Sequence, residues 1–470
     1  MNKRTSIFLL LFLLPFCIFG QATVRQFSQE QLLWFVKNYH PISIQAELTI
    51  KRGESTVRQA RGGFDPYLSG RFDQKQFDDK NYYSLLQGGL KIPTWYGVSV
   101  KSGYDQNSGI LLNPENDVPN GGLWYGGIEL TLGKGLFIDN RRAALKQAKI
   151  FSESTYSEQQ MIMNDLYFDA VKQYWKWQQA WNQLLIYEES LQLAQTRFVA
   201  VKGSHRFGDK PAIDTLEAFI WVQNRQMNRD ASALAYQNAT LSLSNFLWFE
   251  NNTPLVITDS LIPTSLESIV ENNPIVYDTL ESLMLALPTI HPAMQLYRFK
   301  LADIGIDRRM NVEALKPTLN VQYNLLNEPV GSNVITGLSS QNSKVGVFAG
   351  FPLFLRKQRG DLQLTDLKIQ ETELGQQQKL LELQNNLRAY YNEQLVLNSQ
   401  VALYTDAVSN SNRLLAGEKQ KFSAGESSVF MVNTRENYVI STRLKLIELI
   451  TKYQVAQTGI FWAAGQLYEN

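Results

Sequence analysis

The sequence predicts a mainly helical protein in which one plan, namely helix, strands, very long helix, turn and long helix, occurs twice. Two observations predict the duplication. The pair His-Pro appears twice, each time 25 residues before another proline, and a later Leu-Phe pair and glycine are spaced alike in both halves. A third observation predicts the helices, because long stretches between these landmarks contain almost no helix-breaking residue.

The spacing of the landmarks measures the repeat. The His-Pro pairs, at 40–41 and 291–292, are 251 residues apart, whereas the Leu-Phe pairs, at 136–137 and 353–354, are 217 residues apart. From each Leu-Phe pair to its glycine there are 72 residues. The first copy therefore carries 34 additional residues before its Leu-Phe pair. Each copy is too long to be a solenoid unit, so the pattern indicates a two-fold internal duplication.

The N-terminal residues and the net charge limit the classes to which the protein can belong. Residues 1–20 combine a basic start with a short apolar run that ends before Gln21, which is typical of a secretory signal peptide. Cys17, the single cysteine, lies within this run, so the expected mature chain has no disulfide and no thiol chemistry. The bulky Phe16 before it disfavours a lipid anchor. A formal charge of +1 gives no electrostatic case for nucleic acid as a partner.

Helical stretches follow the His-Pro pairs, at 42–62 and 293–315. A proline ends each stretch, since proline lacks an N–H group and disfavours helix in the preceding residue. Alternating residues then predict four strands, at 67–77, 126–132, 318–326 and 344–351. The stretch 78–125, rich in Gly, Asn, Tyr and Trp, holds the additional residues of the first copy. Its composition leaves open whether it adds a hairpin of strands or forms an external loop.

A helix of about 69 residues is predicted from Asp139 to Phe207, because this stretch contains no proline and one glycine. At about 1.5 Å per residue it would span about 100 Å. Its apolar seam has a mean spacing of about 3.5 residues, the period of a left-handed coiled coil. The seam consists of Met163, Tyr167, Ala170, Tyr174, Trp177, Trp181, Leu184, Tyr187, Leu191, Ala194 and Phe198. By itself it predicts long helices packed along each other and says nothing about what they enclose.

Two glycine turns follow the long helices. Gly208 lies in "HRFGDKPAIDTLEA" and Gly425 in "QKFSAGESSVFMVNTREN". Returning helices are predicted after them, at about 211–249 and 428–467.

Taken in order, these motifs resemble the TolC-type outer-membrane efflux protein family over essentially all of the chain after residue 20. The motifs are the His-Pro pairs, the Pro-x-Leu strand starts, "GLF" and "FPLF" before Arg-rich helix starts, and the two glycine turns. None is specific alone, but their order occurs twice. The resemblance divides the chain into a signal peptide (1–20), first helices (21–65), barrel strands with an extracellular loop (66–138), a helical hairpin (139–249), a connector (250–277), first helices again (278–316), barrel strands (317–355) and a second helical hairpin (356–470).

The resemblance implies a homotrimer in the outer membrane of a Gram-negative-type bacterium, with its helices in the periplasm. Each protomer would give four strands to one shared 12-strand β-barrel, continuous with an α-helical tunnel, because open sheet edges cannot lie in lipid. The implied partners are outer-membrane lipid, a periplasmic adaptor (membrane fusion) protein and an inner-membrane pump. The implied function is a passive exit duct for small toxic compounds or polypeptides, in a tripartite efflux or type I secretion complex.

Candidate gate residues also follow from the resemblance. The acidic gate position of the family falls on Asp214, with Glu217 three residues later on the same helix face. The equivalent positions of the second copy, Met431 and Thr434, carry no charge, so the acidic constriction is absent there. The alternative for the two carboxylates is a solvated first turn that the helix dipole stabilises.

Two further sets of candidates concern surfaces. The tip where an adaptor would dock comprises Phe207, Gly208, Asp209, Phe422, Gly425 and Glu426. The aromatic residues expected at the membrane interface, or alternatively in loop and hairpin packing, are Tyr82, Tyr83, Trp95, Tyr96, Trp124 and Tyr125.

No pattern in the sequence indicates an enzyme, a cofactor or a metal. It contains no phosphate loop, no "GxSxG" and no "HExxH", and its three histidines stand apart. The histidines of the His-Pro pairs are interpreted as landmarks of the duplication without a role of their own. The competing function, from another class, is a non-pore periplasmic coiled-coil structural or adaptor protein, which would be soluble and would not conduct ions.

Overall fold

A computed structural model describes residues 25–258, 261–266, 280–328 and 341–468. The predicted signal peptide and much of the predicted connector lie outside these residues. The chain divides into two compact units. The turn unit contains both glycine turns and draws on Met1–Phe35, Gln173–Ile275 and Ala407–Glu448. The sheet unit draws on Val36–Lys172, Val276–Asp406 and Leu449–Asn470.

The described residues form eight α-helices. They are α1 (Gln29–Tyr39), α2 (Pro41–Arg61), α3 (Asn140–Arg206), α4 (Ala212–Ser244), α5 (Leu280–Ile290), α6 (Pro292–Glu313), α7 (Arg356–Ser423) and α8 (Val429–Ala464). The predicted very long helices are confirmed as α3 and α7, of 67 and 68 residues. Each is followed by a glycine turn and a returning helix, so the duplicated plan is present in the fold.

The strands of the described residues form one large sheet and two short pairs. The large sheet contains β2 (Tyr67–Phe77), β3 (Lys80–Pro93), β4 (Val98–Ser108), β5 (Leu123–Thr131), β9 (Thr318–Asn327) and β10 (Ser343–Gly350), in the order β10-β9-β5-β4-β3-β2. All of its neighbouring strands are antiparallel. The short strands are β1 (Arg25–Phe27) with β8 (Leu261–Pro263), and β6 (Trp248–Phe249) with β7 (Thr253–Pro254).

The strand count corrects the expectation of four strands per chain. The stretch 78–125, which the sequence left open, supplies two strands, β3 and β4, within the same sheet. A two-residue turn at Asp78 and Asp79, both with positive φ, reverses the chain between β2 and β3. Such turns match the right-handed twist of the strands they join. The described residues thus contribute six strands, four from the first copy and two from the second.

The heptad seam of α3 is confirmed as core. Eight of its eleven positions are buried, and Ala170, Tyr174 and Trp177 are almost fully so. Within the turn unit, the Tyr174 hydroxyl donates to the Phe27 carbonyl at 2.9 Å, and the indole N–H of Trp177 donates to the Thr240 hydroxyl at 3.0 Å. The polar ends of these aromatic side chains are therefore satisfied while their rings fill the seam.

The two histidines of the His-Pro pairs have a structural role, which corrects their interpretation as landmarks only. Each is the N-cap of the helix that its proline begins: His40 Nδ1 accepts from the Ile42 N–H at 3.2 Å, and His291 Nδ1 accepts from the Ala293 N–H at 3.1 Å. Capping satisfies a backbone donor that has no partner within the helix. Burial, followed by the nearby charge of Lys379, lowers the pKa of His291 to about 4, so its ring is neutral and its Nδ1 can accept.

Candidate functional site

The six-stranded sheet has one apolar and one polar face. Directly paired residues share a face, because side chains alternate along a strand with a period of two. One such row crosses five strands and consists of Ile92, Val100, Ile128, Tyr323 and Val345. The rows beside it contain Leu90, Val98, Leu130, Val321 and Val347. A sheet with one continuous apolar face suits burial of that face against a hydrophobic environment.

The opposite face is polar and carries a group of charges. Lys91 and Lys101 lie directly opposite each other on β3 and β4, where like charges would repel. The Glu129 carboxylate lies between them, with its Oε2 at 2.9 Å from Lys91 Nζ and at 2.6 Å from Lys101 Nζ. Lys91, Glu129 and Ser99 line part of a cavity of ≈ 430 Å³ at the helix-proximal end of the sheet. The added hairpin therefore takes part in the polar face as well as in the apolar one.

The six candidate interface aromatics lie at both ends of the sheet. Trp124 is on the apolar face, 4.8 Å between ring centroids from Tyr104, and Tyr96 is 84% exposed in the β3–β4 turn. By register, Tyr83 and Tyr125 belong to the polar face. Tyr125 covers Gly103, where a Cβ atom would lie 2.4 Å from its ring.

The remaining two candidates make local packing contacts. Trp95 stacks on Phe64 with ring centroids 3.9 Å apart, and Tyr82 packs edge-on against Phe77. The Trp95 contact joins the β3–β4 turn to the chain just after α2. Trp124 and Tyr96 stay candidates for the membrane interface, while Trp95 fits the packing alternative.

The two glycine turns have the same backbone hydrogen bonds. In the first, the Gly208 N–H donates to the His205 carbonyl at 3.0 Å and the Asp209 N–H donates to the Ser204 carbonyl at 3.0 Å. In the second, Gly425 and Glu426 donate to the carbonyls at 422 and 421 at 3.1 and 2.9 Å. Both sets form the Schellman motif, which needs a left-handed residue after the helix. Gly208 and Gly425 supply it, with φ values of 81° and 82°.

The tip candidates divide into exposed residues and one partly buried side chain, that of Phe422. Phe207 is 85% exposed, and Asp209 and Glu426 are also exposed. The Phe422 ring instead packs against two apolar clusters of the turn unit, with Lys210 Nζ at 5.1 Å from its centroid. The surface that the first turn presents is therefore apolar at Phe207 and acidic at Asp209.

The gate candidates occupy the first turns of α4 and α8. Asp214 and Glu217, on α4, are half-buried. On α8, Met431 is half-buried and Thr434 is exposed. The Thr434 hydroxyl donates to the Phe430 carbonyl at 2.9 Å. The Oε1 atom of Glu217 is buried and has no hydrogen-bond partner among the described residues. A buried acceptor in this state is costly, so Glu217 differs from an ordinary solvated residue of a first turn.

Sequence reasoning missed a buried charged group in the turn unit. The Arg197 guanidinium, from α3, donates to both carboxylate oxygens of Glu436, with its Nη1 2.8 Å from Glu436 Oε2. It also donates to the side chain of Asn433, which lies on α8 like Glu436. Both charged side chains are largely buried. The sequence carries little indication of this ion pair, because a single arginine beside an apolar seam does not show which residue, here 239 positions away, is its partner.

A second arginine, from α4, completes this group. Arg225 is buried and its Nη2 donates to Asn437 Oδ1 at 2.5 Å, with the guanidinium carbon 5.5 Å from the Trp221 ring. Burial lowers the pKa of the Arg225 guanidinium, and the negative charge of Glu436 opposes that shift. The group links α3, α4 and α8 through charge-assisted hydrogen bonds, which are the stronger kind.

The described residues contain no cluster of three or more His, Cys, Asp or Glu side chains that could hold a metal ion. No helix in the described part of the chain combines the length and apolar character needed to cross a membrane.

Comparisons with known proteins place this architecture. Residues 291–466 match the model of the outer membrane efflux protein family. A sequence comparison with curated proteins found no match. Among solved structures, the CmeC outer membrane channel of Campylobacter jejuni is 12% identical with a TM-score of 0.64, over 93% of this chain and 86% of that one.

Two further solved structures show the same likeness. The outer membrane protein VceC of Vibrio cholerae is 12% identical with a TM-score of 0.64, over 93% of this chain and 96% of its own. The open state of the MtrE outer membrane channel of Neisseria gonorrhoeae is 11% identical with a TM-score of 0.63, over 93% and 89%. The fold, with its β-barrel strands and long helices, is therefore that of outer-membrane channels. The match of residues 291–466 to the model of the outer membrane efflux protein family agrees with the resemblance that the sequence predicted.

Proposed function

We propose that three copies of the chain form the outer-membrane exit duct of a tripartite efflux or type I secretion complex. The duct would passively conduct small toxic compounds or polypeptides that an inner-membrane pump delivers through a periplasmic adaptor. The pump would supply the energy. The observation that carries the proposal is the sheet with one apolar and one polar face, whose edge strands pair on one side only among the described residues. In lipid such a sheet needs further copies to close it.

A gate at the first turns of the returning helices is part of the proposal. Three-fold symmetry would turn Asp214 and Glu217 into rings of carboxylates around the bore. The buried Oε1 of Glu217, which has no hydrogen-bond partner among the described residues, supports this assignment, because a neighbouring copy could supply one. Met431 and Thr434 would contribute an uncharged segment, so the cation affinity of the constriction would rest on the first copy alone.

The adaptor would dock at the tip formed by the two glycine turns. Phe207 supports this proposal, since an exposed aromatic side chain at a turn is a typical anchor of a protein interface. Asp209 and Glu426 would add an acidic rim. Phe422 would act from the inside, by holding the second turn against its helices.

The test is reconstitution of the detergent-extracted protein in a planar bilayer. The expected result is a trimer that conducts ions in discrete steps. A monomeric protein that is soluble without detergent and does not conduct would overturn the duct and support the coiled-coil structural alternative. For the tip, photo-crosslinking from residue 207 in intact cell envelopes should capture a periplasmic protein, whereas the same probe at residue 422 should capture none.

A further inference from the structure

The hairpin β3–β4 lies inside the sheet and is paired on both sides. β3 pairs with β2, where Leu68 is opposite Leu90, and β4 pairs with β5, where Val100 is opposite Ile128. The hairpin therefore separates β2 from β5, which would otherwise be neighbours. An external loop would leave β2 and β5 paired with each other.

The side chains of the hairpin obey the alternation of the whole sheet. Ile92 and Val100 continue the apolar row that reaches Val345 on β10. Lys91 and Lys101 face the other way and share Glu129 of β5. A one-residue slip would invert both faces, so this agreement across strands indicates that the hairpin is an integral part of the sheet.

In the part of the chain that the structure describes, the edge strands of the sheet are β2 and β10. β2 begins directly after the first helices and β10 ends just before α7, so the two strands run in opposite directions relative to the helices. Neighbouring copies arranged around an axis would therefore bring them together antiparallel. Leu68 and Phe72 on β2 are exposed on the apolar face, as Val345 and Val347 are on β10.

We propose that the β2 edge of one copy pairs with the β10 edge of the next, so that three copies close a barrel of eighteen strands instead of twelve, three times the six that the described residues of one chain contribute. This inference rests on the proposed trimer. Barrel diameter grows roughly linearly with strand number, so the wall would be about 1.5 times as wide as that of a twelve-strand barrel. Barrels of this size leave an open aqueous channel.

Disulfide mapping tests the proposal, because the chain has no cysteine after residue 20. For the contact between copies, Phe72→Cys is combined with Val345→Cys, Val347→Cys or Ala349→Cys, all on the same face. The matched control is Phe72→Cys with Phe348→Cys, which lies on the opposite face. For the inserted hairpin, Val100→Cys is combined with Ile128→Cys.

The expected result, in the conducting trimer, is a crosslink between chains for at least one same-face pair and none for the control, with a disulfide within the chain at 100–128. Crosslinks between chains without the 100–128 disulfide would place the hairpin outside the wall, and the eighteen-strand barrel would be wrong. A conducting trimer without any same-face crosslink would also overturn it and leave the duct standing. A protein that neither conducts nor trimerises would contradict the proposed function itself.

Discussion

The two helix–turn–helix segments, at 140–244 and 356–464, share their backbone and differ in the side chains near their turns. Both long helices end in the same Schellman motif with a left-handed glycine. Arg197 and Glu436 form a buried ion pair in the turn unit. The equivalent residues of the other copy, at the constant offset of 217, are Leu414 and Phe219, which are 44% and 42% exposed.

The comparison teaches what a duplicated chain must keep and what it is free to change. The turn geometry depends on backbone conformation, so both copies retain glycine. The side chains near the turns can differ, because only one of the two equivalent helix contacts holds the Arg197–Glu436 ion pair. The exposed apolar side chains of Leu414 and Phe219 cannot form an ion pair, whereas Arg197 and Glu436 bind the helices of their own chain together.

The largest effect is expected from the buried ion pair. Arg197→Met should destabilise the turn unit by about 3 kcal/mol, because it removes both guanidinium hydrogen bonds of the buried Glu436 carboxylate and leaves it only the longer contact with Lys419 Nζ, at 3.7 Å. The measurement is thermal unfolding of the detergent-solubilised protein. The matched control is Arg443→Met, which breaks the exposed pair with Glu189 in the same unit and should cost less than about 1 kcal/mol. Equal losses for the two variants would contradict the difference drawn between the copies.

The second-largest effect is expected from the titration of His291, which makes the stability of the folded chain depend on pH. Its pKa is about 4 in the folded chain against 6.5 for the free side chain, so the unfolded chain binds the proton more readily. Stability should therefore fall as pH drops from about 6.5 to about 4, by about 3 kcal/mol, since each pKa unit corresponds to about 1.4 kcal/mol. The measurement is chemical denaturation across this range.

His291→Asn supplies the control for that pH dependence. Asparagine keeps an N-cap acceptor and does not titrate, so the stability lost between pH 6.5 and 4 should shrink by the His291 share. An unchanged pH profile in this variant would show that another group causes the loss.

At the proposed gate, the two copies can be compared by their effect on ion conduction. Asp214→Asn with Glu217→Gln should raise single-channel conductance and weaken block by divalent cations about tenfold, which corresponds to about 1.4 kcal/mol. Met431→Leu is the matched control in the second copy and should leave both quantities unchanged. If the carboxylate variant conducts like the parent, Asp214 and Glu217 are ordinary first-turn residues.

The smallest effect concerns the turns themselves. Gly208→Ala and Gly425→Ala should each cost about 1 kcal/mol, because an L-residue is disfavoured at positive φ. No neighbouring atom lies within 4 Å of either added Cβ, so the cost is one of backbone conformation alone. The two losses, measured by thermal unfolding, should agree closely. A much larger loss at one turn would show that the two copies use their turns differently.

Features that depend on local pattern were predictable from the sequence. The seam of α3 followed from its period, and the strand at 67–77 was predicted to the residue, because alternation there is regular. The hairpin β3–β4 was left open, since Gly88, Gly89 and Gly103 interrupt the alternation and Tyr125, from another strand, covers one of them.

The remaining features depend on partners far away in sequence or on uncommon residue types. Arg197 meets Glu436 across 239 residues, which no single sequence window contains. Histidine is not among the preferred N-cap residues, so its capping role had no sequence rule to indicate it. The candidate gate and tip came from the resemblance and remain predictions.

The additional hairpin of the first copy illustrates how the number of strands in the proposed barrel wall could change by insertion. A single added strand would leave the chain on the wrong side of the membrane, so each insertion must bring two strands. Three identical subunits multiply every insertion by three. In the proposed trimer, the wall could therefore grow or shrink only in steps of six strands, which correspond to one hairpin such as β3–β4 in each chain.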